Sequence, residues 1–131
     1  MKVLLDTSAY SEMLKGSPTV ADAIRRASRV VFSTVVAGEL LHGFRNGSRY
    51  QQNLDRLRTF LERPVVEVLP VSMVTAERFA IVTTALKKKG RPLPTNDVWI
   101  AAHAFESGAE LLSFDMHFAE VDGLAWRYLG G

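Results

Sequence analysis

The sequence predicts an α/β fold in which a central, mainly parallel five-stranded sheet carries helices on both faces. Short apolar segments typical of buried strands alternate along the chain with longer segments of helical periodicity. This alternation favours parallel pairing, and right-handed crossovers then place the connecting helices on both faces of the sheet. The chain has 131 residues and shows no repeat, linker or low-complexity tract. We therefore expect residues 1–131 to form one domain with one core.

The first seventy or so residues are expected to contain three strands and four helices. Residues 1–5 form an apolar run that ends at Asp6, as a buried parallel strand does where it enters a loop. Thr7 or Ser8 can cap the helix that follows, which runs to about residue 15. The other elements expected here are helices over residues 19–28, 35–44 (capped by Ser33 or Thr34) and 50–61, and strands over residues 30–32 and 65–69. The apolar positions of the last two helices are Val36, Leu40 and Phe44, and Leu54, Leu57 and Leu61.

The rest of the chain is expected to contain two helices and two strands. Ser72 or Thr75 opens a long helix with a lysine-rich end that suits the helix dipole, and its inward residues are Phe79, Val82 and Leu86. After a loop at residues 90–94, Thr95 caps a helix over residues 96–106, which Gly108 ends. A strand over residues 110–113 and a last short strand over residues 125–128 complete the sheet.

The composition narrows the possible kinds of site. The chain contains no cysteine, which excludes disulfides and thiolate metal sites and leaves oxygen or imidazole as metal ligands. Asp6 interrupts the first apolar run too early for a signal peptide, and no stretch approaches the length of a membrane span. We therefore expect a cytoplasmic protein with no membrane partner.

Basic residues occur in groups, although the formal net charge is only +2. Such groups either bind a phosphate-bearing partner or form solvated helix faces, and the sequence leaves both interpretations open. The groups are Arg25, Arg26 and Arg29; Arg45 and Arg49; Arg56 and Arg58; and Lys87, Lys88, Lys89 and Arg91.

Four acids are placed where a ligand would bind. In an open α/β sheet, ligands bind at the carboxyl ends of the strands. Asp6 ends the first strand, Asp115 follows the fourth, and Glu39 and Asp97 lie in helices that flank the same edge. Oxygen ligands suit Mg²⁺ or Mn²⁺, which can bind a phosphodiester and activate water. Each acid also has a structural explanation: a helix cap for Asp6, a first-turn charge for Asp97, a turn for Asp115 and an arginine partner for Glu39.

Four segments resemble the PIN-domain ribonucleases, and among them the VapC-type toxins of prokaryotic toxin–antitoxin pairs. The segments span nearly the whole chain, in the family's order. They are LLDTS at residues 4–8, Ser33 followed by Glu39-Leu40 and Gly43, Asn96-Asp97 followed by IAAHA at residues 100–104, and SFDMHF at residues 113–118.

The resemblance implies a three-layer α/β/α sandwich with strand order 3-2-1-4-5 and Mg²⁺- or Mn²⁺-dependent endonuclease action on RNA. It also implies a homodimer and inhibition by a VapB-like antitoxin whose C-terminal tail lies near the active site. Asp6, Glu39 and Asp97 match the core metal ligands, and Asp115 matches a further acid that helps to bind or orient the metal. The auxiliary positions are Thr7, which matches a hydroxyl residue, and Ser113, which stands where threonine is common. Ser8 and Phe114 depart from the family, which often has asparagine and arginine there; these differences affect only secondary contacts.

Two histidines and several aromatic residues admit functional interpretations. His103 is expected to be packed or partly exposed in its helix. His117 lies two residues after Asp115, so it could contact a phosphate bound at the predicted acid site. Trp99 and Trp126 are interpreted as core residues. Stacking on RNA bases is assigned to residues such as Tyr10, Phe44 or Tyr50.

Three other functions were weighed against a nuclease. A phosphorelay receiver requires an acidic pair after the first strand and a lysine after a late one, and both are missing here. A dehalogenase-like phosphatase requires a second aspartate where Ser8 stands. The remaining alternative is a catalytically inactive PIN-fold module that binds RNA or an antitoxin, and the four intact acids argue against it. The sequence does not indicate which RNA is cut.

Overall fold

A computed structural model describes residues 1–131 and contains a five-stranded sheet with the order β3-β2-β1-β4-β5. All four strand pairs are parallel. The predicted fold class and strand order are therefore confirmed. The strands are β1 (Lys2–Leu5), β2 (Arg29–Ser33), β3 (Val66–Leu69), β4 (Glu110–Ser113) and β5 (Trp126–Tyr128).

Six α-helices connect the strands, and a short 3₁₀ helix follows β4 at Met116–Glu120. Consecutive residues of β1 and β2 are buried, and since neighbouring side chains of a strand point to opposite faces, both faces of the sheet are covered. No helix is both long enough and apolar enough to span a membrane. The helices are α1 (Thr7–Leu14), α2 (Pro18–Arg26), α3 (Thr34–Arg45), α4 (Tyr50–Leu61), α5 (Met73–Lys89) and α6 (Thr95–Ser107).

Two apolar clusters hold the elements that carry the four acids. In the main core, Tyr10 of α1, Phe32 of β2 and Phe60 of α4 meet edge to face, with ring centroids 5.4–5.8 Å apart. A smaller cluster joins α5, α6 and the segment after the 3₁₀ helix through Val82, Leu86, Val98 and Val121. Packing on these clusters fixes the positions of α6 and of the chain just after β4, which carry Asp97 and Asp115.

The helix starts differ from the predicted caps at two places. Asp6, rather than Thr7 or Ser8, caps α1, because it has extended backbone angles and accepts a hydrogen bond from the Ala9 amide. Pro94 precedes α6 without a side-chain cap, and Thr95 is the first helical residue instead of the cap. Ser33 caps α3, Ser72 caps α5 and Gly108 ends α6 in the left-handed conformation, as predicted.

Several residues predicted to face the core, Leu54 and Phe79 among them, are only partly buried. In α4, Phe60 is buried beside Leu57, while Leu61 is only partly buried. The larger ring of Phe60, one turn after Leu57, fills the core next to Phe32. Trp99 and Trp126 are also only partly buried, and Trp99 stacks on Phe79 of α5 at a centroid distance of 3.9 Å.

Candidate active site

Asp6 and Ser113 stand side by side at the carboxyl ends of the central strands β1 and β4. The Asp6 side chain is 4% exposed, and the Ser113 hydroxyl donates to its Oδ2 at 2.5 Å. The Ser8 hydroxyl and the Ala9 amide donate to Oδ1 at 2.6 and 2.8 Å. Burial nevertheless raises the pKa of Asp6, because these donors do not compensate for the lost hydration and the negative charge of Asp115 adds to the shift. Asp6 is thus both the cap of α1 and a buried carboxylate at the point where strand order reverses.

Glu39 reaches the same edge from α3. Its Oε1 accepts a hydrogen bond of 2.5 Å from the Thr7 hydroxyl, and Asn96 Nδ2 donates to its Oε2 at 3.4 Å. Glu39 forms no salt bridge, so the alternative of an arginine partner is wrong. Residues from the starts of α1 and α6 therefore orient this carboxylate.

Asp97 and Asp115 lie on either side of His117. His117 Nε2 is 3.0 Å from Asp97 Oδ2, and its Nδ1 is 2.9 Å from Asp115 Oδ1. Asp115 is exposed and also caps the 3₁₀ helix by accepting from the His117 amide. This bridging position differs from the phosphate contact that the sequence predicts for His117. Its position two residues after Asp115, on the same turn, was the available signal for this bridging role.

The four acids are close enough to influence one another. Burial raises the pKa of Asp97 to about 6, His117 opposes the shift, and the charges of Glu39, Asp115 and Asp6 add to it. No lysine or arginine forms a salt bridge with any of the four. The result is a carboxylate cluster for which His117 is the one potentially cationic partner.

The donor set of this cluster suits a hard divalent cation, because it consists of carboxylate oxygens with mutual repulsion to relieve. In the arrangement described here, however, no three Asp, Glu or His side chains are grouped closely enough to hold one metal ion. Carboxylate oxygens instead accept from Ser8, Ser113 and Thr7. The acids thus fit Mg²⁺ or Mn²⁺ by their chemistry, while their side chains are held by hydroxyl groups.

A groove of about 610 Å³ adjoins Glu39 on the side of α3. Sequence reasoning did not identify it, because its residues come from α1, α3 and the start of α6. It is lined by Thr7, Thr34, Val35, Gly38, Glu39, His42 and Asn96.

His103 lies outside the acid cluster and is fully buried, which agrees with the prediction that it is packed. Its Nε2 is 3.2 Å from the Pro70 carbonyl oxygen, and its Nδ1 is 2.8 Å from Ser33 Oγ. Because a carbonyl only accepts, Nε2 carries the hydrogen and Nδ1 accepts from the Ser33 hydroxyl. Burial lowers the pKa of His103, so the neutral ring ties α6 to the ends of β2 and β3.

Two of the aromatic residues proposed to stack on bases are unavailable to solvent. Tyr10 is 0% and Phe44 is 8% exposed, and both belong to the main core. Their rings stabilise the fold by burial, so the prediction that they stack on bases is wrong. Tyr50 is partly exposed, and the Arg45 guanidinium lies 4.6 Å from its ring centroid.

Replacing Asp97 by asparagine is expected to stabilise the metal-free protein at pH 8. The pKa of Asp97 rises from 3.8 to about 6, so the folded state holds this proton more tightly than the unfolded chain does. The stability that the tighter binding of this proton gives the folded state is fully present below pH 3.8 and is lost as the pH rises through 6. Asparagine carries no charge to bury, and the free energy of unfolding should increase by about 1–3 kcal/mol at pH 8.

Urea unfolding in excess chelator at pH 8 and pH 4 measures this effect. The increase in the free energy of unfolding caused by Asp97→Asn should be smaller at pH 4, where the parent carboxyl is protonated in the folded state. Glu62→Gln, at an exposed acid without a salt bridge, is the matched control and should change little at either pH. An equal advantage of Asp97→Asn at both pH values would contradict the electrostatic explanation.

Comparison with known proteins identifies the family. A family model described as the PIN domain matches residues 3–124. The chain is 29% identical to Ribonuclease VapC1 of Haemophilus influenzae strain R2866 over 97% of both chains. It is 30% identical to Ribonuclease VapC5 of Mycobacterium tuberculosis H37Rv over 93% of this chain and 89% of that one.

Comparison with solved structures supports the same family. The structure of VapBC-1 from nontypeable Haemophilus influenzae superposes with a TM-score of 0.88 at 26% identity, covering all of both chains. DNA-bound VapBC from Salmonella typhimurium also gives a TM-score of 0.88, at 23% identity over 98% of both chains. The strand order, the acids at the carboxyl edge of the sheet and the family match agree, and this chain belongs to the PIN domain family.

Proposed function

We propose that this protein is a metal-dependent endoribonuclease and the toxin of a VapBC-like toxin–antitoxin pair. The observation that carries the proposal is the cluster of Asp6, Glu39, Asp97 and Asp115 at the carboxyl edge of the sheet, with no lysine or arginine to neutralise it. Burying a carboxylate such as Asp6 is costly, and a bound cation would offset that cost. The names of the relatives, Ribonuclease VapC1 and VapC5, support RNA as the substrate.

In this proposal Asp6, Glu39 and Asp97 hold one or two Mg²⁺ or Mn²⁺ ions, and the more exposed Asp115 helps to bind or orient them. Such ions supply a Lewis acid and lower the pKa of a bound water. The chain's own groups keep the carboxylates in position. Thr7 and Asn96 donate to Glu39, and Ser8, Ala9 and Ser113 donate to Asp6. Attack of water on phosphorus would break the bond to the 3′ oxygen, which takes up a proton, and would leave a 5′-phosphate and a 3′-hydroxyl.

Arginine side chains that have no carboxylate partner are suited to hold the RNA backbone. Arg25 and Arg26 pair with Asp22, and Arg29 lies 3.9 Å from Glu67, so this group forms a solvated, paired surface. No carboxylate pairs with the second and third groups, which are Arg45, Arg49, Arg56 and Arg58. These free guanidinium groups favour phosphate contacts, which position an RNA strand without reading its sequence.

The proposal includes an antitoxin and a homodimer in the cytoplasm. Structures of similar proteins are described as VapBC and as a toxin–antitoxin complex from Klebsiella pneumoniae, which supports a VapB-like partner. For the dimer, Met73, Val74 and Ile81 on α5 are 76, 54 and 62% exposed, an apolar surface suited to burial against a second copy. The cytoplasm is where RNA and an antitoxin would both meet the enzyme.

The test is expression of the chain alone in a bacterial host, together with incubation of the purified protein with end-labelled single-stranded RNA. We expect growth arrest and internal cleavage that leaves 5′-phosphate ends. RNA binding without cleavage would instead identify an inactive PIN-fold binding module. Full growth with neither binding nor cleavage would contradict both functions.

A further inference from the structure

The groove beside Glu39 adjoins the acid cluster and shares Glu39 with it. His42 lies one helical turn after both Gly38 and Glu39, because residues three and four apart in a helix are neighbours on its surface, and all three line the groove. A Cβ atom built on Gly38 meets nothing within 4 Å, so the glycine leaves open space at this point. The volume of about 610 Å³ lies within the range of small-molecule pockets.

The lining of the groove suits a nucleobase. Only one of its seven residues, Val35, is hydrophobic, and it contains neither lysine nor arginine. Thr34, His42 and Asn96 provide hydrogen-bond donors and acceptors, and a histidine ring can also stack on a base. A helical peptide needs apolar anchors in its groove, which this one lacks.

Another groove of the protein offers those anchors. It lies between α1 and α4, where the partly exposed side chains of Met13 and Leu14 lie beside polar residues of α4. Because the groove beside Glu39 is polar and the one between α1 and α4 has apolar residues, the groove beside Glu39 is better suited to RNA than to a helical peptide.

The groove also leads from the acids to a free cation. Arg45 lies one turn beyond His42 on the face of α3 that carries Gly38, and it is six residues after Glu39, a rise of about 9 Å along the helix. The Arg45 guanidinium has no carboxylate partner and donates to the Tyr50 hydroxyl at 3.1 Å. A strand with one phosphate at the acids would therefore have its next nucleotide in the groove and a further phosphate near Arg45.

We propose that this groove binds the nucleotide next to the scissile phosphate of a single-stranded RNA, with His42 and Asn96 contacting its base. The inference rests on the proposed nuclease function, since it places the cleaved bond at the acid cluster. The groove thereby contributes sequence preference at one position beside the cleaved bond. The preference arises from His42 and Asn96, which contact a base, while the acids act on the backbone.

Gly38→Leu tests the groove, and Gly43→Leu is its matched control. Both glycines are inside α3, neither has a positive φ, and a Cβ on either meets nothing within 4 Å. Both substitutions therefore add the same side chain to the same helix and improve its helix propensity. Only the leucine at position 38 would project into the groove, because Gly43 does not line it.

Two measurements are made on each variant and on His42→Ala. The first is the Kd for labelled single-stranded RNA, and the second is kcat and KM on a panel of RNAs that differ at the nucleotide beside the cleaved bond. We expect Gly38→Leu to weaken binding and raise KM about tenfold, and His42→Ala to flatten the preference across the panel. Gly43→Leu should stay within about twofold of the parent.

The outcomes separate the groove from the nuclease function. If the parent binds RNA without cutting it and only Gly38→Leu weakens binding, the groove is supported and the nuclease function fails. If the parent cuts RNA and Gly38→Leu matches Gly43→Leu in Kd, KM and preference, the groove proposal is overturned and the nuclease function stands. Absence of RNA binding by the parent, or loss of antitoxin binding alone in Gly38→Leu, would also overturn it.

Discussion

Asp6→Asn and Asp97→Asn are each expected to lower the rate of RNA cleavage at least about 100-fold, comparable to the loss of a group that stabilises transition-state charge. Asparagine keeps the size of the side chain and one oxygen acceptor but removes the negative charge. At Asp6 the remaining oxygen can still accept from Ala9 and cap α1, so the helix start should persist. The rate is measured on end-labelled RNA at saturating Mg²⁺ or Mn²⁺.

The matched control for these variants is Glu62→Gln, which removes the charge of an exposed acid outside the cluster. It should cleave RNA at the parent rate. Growth arrest in cells should follow the same order, with the parent and Glu62→Gln toxic and the two asparagine variants tolerated. Asparagine variants that are folded and as active as the parent would show that the acid cluster does not act on RNA.

Removal of divalent cations by excess chelator is expected to stop cleavage, and added Mg²⁺ or Mn²⁺ should restore it. Without a cation the acids repel one another and no lysine or arginine offsets their charge, so an RNA phosphate would not approach them favourably. The loss should be as large as that of Asp97→Asn, at least about 100-fold, because both changes prevent the cluster from holding the cation.

A thermal unfolding experiment separates cation binding from cleavage. Mn²⁺ should raise the Tm of the parent, since a ligand that binds only the folded state stabilises it, and should raise that of Asp97→Asn much less. Cleavage that persists in excess chelator, with no shift of the parent's Tm by Mn²⁺, would remove the metal from the mechanism.

The four acids differ in their burial and in their hydrogen bonds. Asp6 is buried and fully hydrogen-bonded, and Glu39 and Asp97 are partly buried, whereas Asp115 is exposed. Asp115 contacts His117, which also lies against Asp97, so its position is coupled to that of Asp97. This arrangement agrees with the distinction between three ligands and a helper acid, which stays a prediction until the variants are measured.

Much of the fold was predictable from local patterns. The alternation of apolar runs and helical segments indicated the parallel sheet, and the strand at Glu110–Ser113 and the helix at Tyr50–Leu61 were predicted with their observed bounds. Leu61, predicted on the apolar seam of α4, is only partly buried and packs against the edge of the core, because its neighbour Phe60 also fits the helical period. Only the contact of Phe60 with Tyr10 and Phe32 decides between them.

Local patterns in the chain are enough to predict the fold class and the four candidate acids, because hydrophobic periodicity and the residue after each strand can be read without knowledge of the packing. The surroundings of each acid depend instead on tertiary contacts. His117 lies between Asp97 and Asp115, Thr7 and Asn96 hold Glu39, and a groove opens at Gly38. These contacts join residues up to 57 positions apart, such as Glu39 and Asn96. They depend on how α1, α3 and α6 pack at one edge of the sheet, which no local pattern specifies.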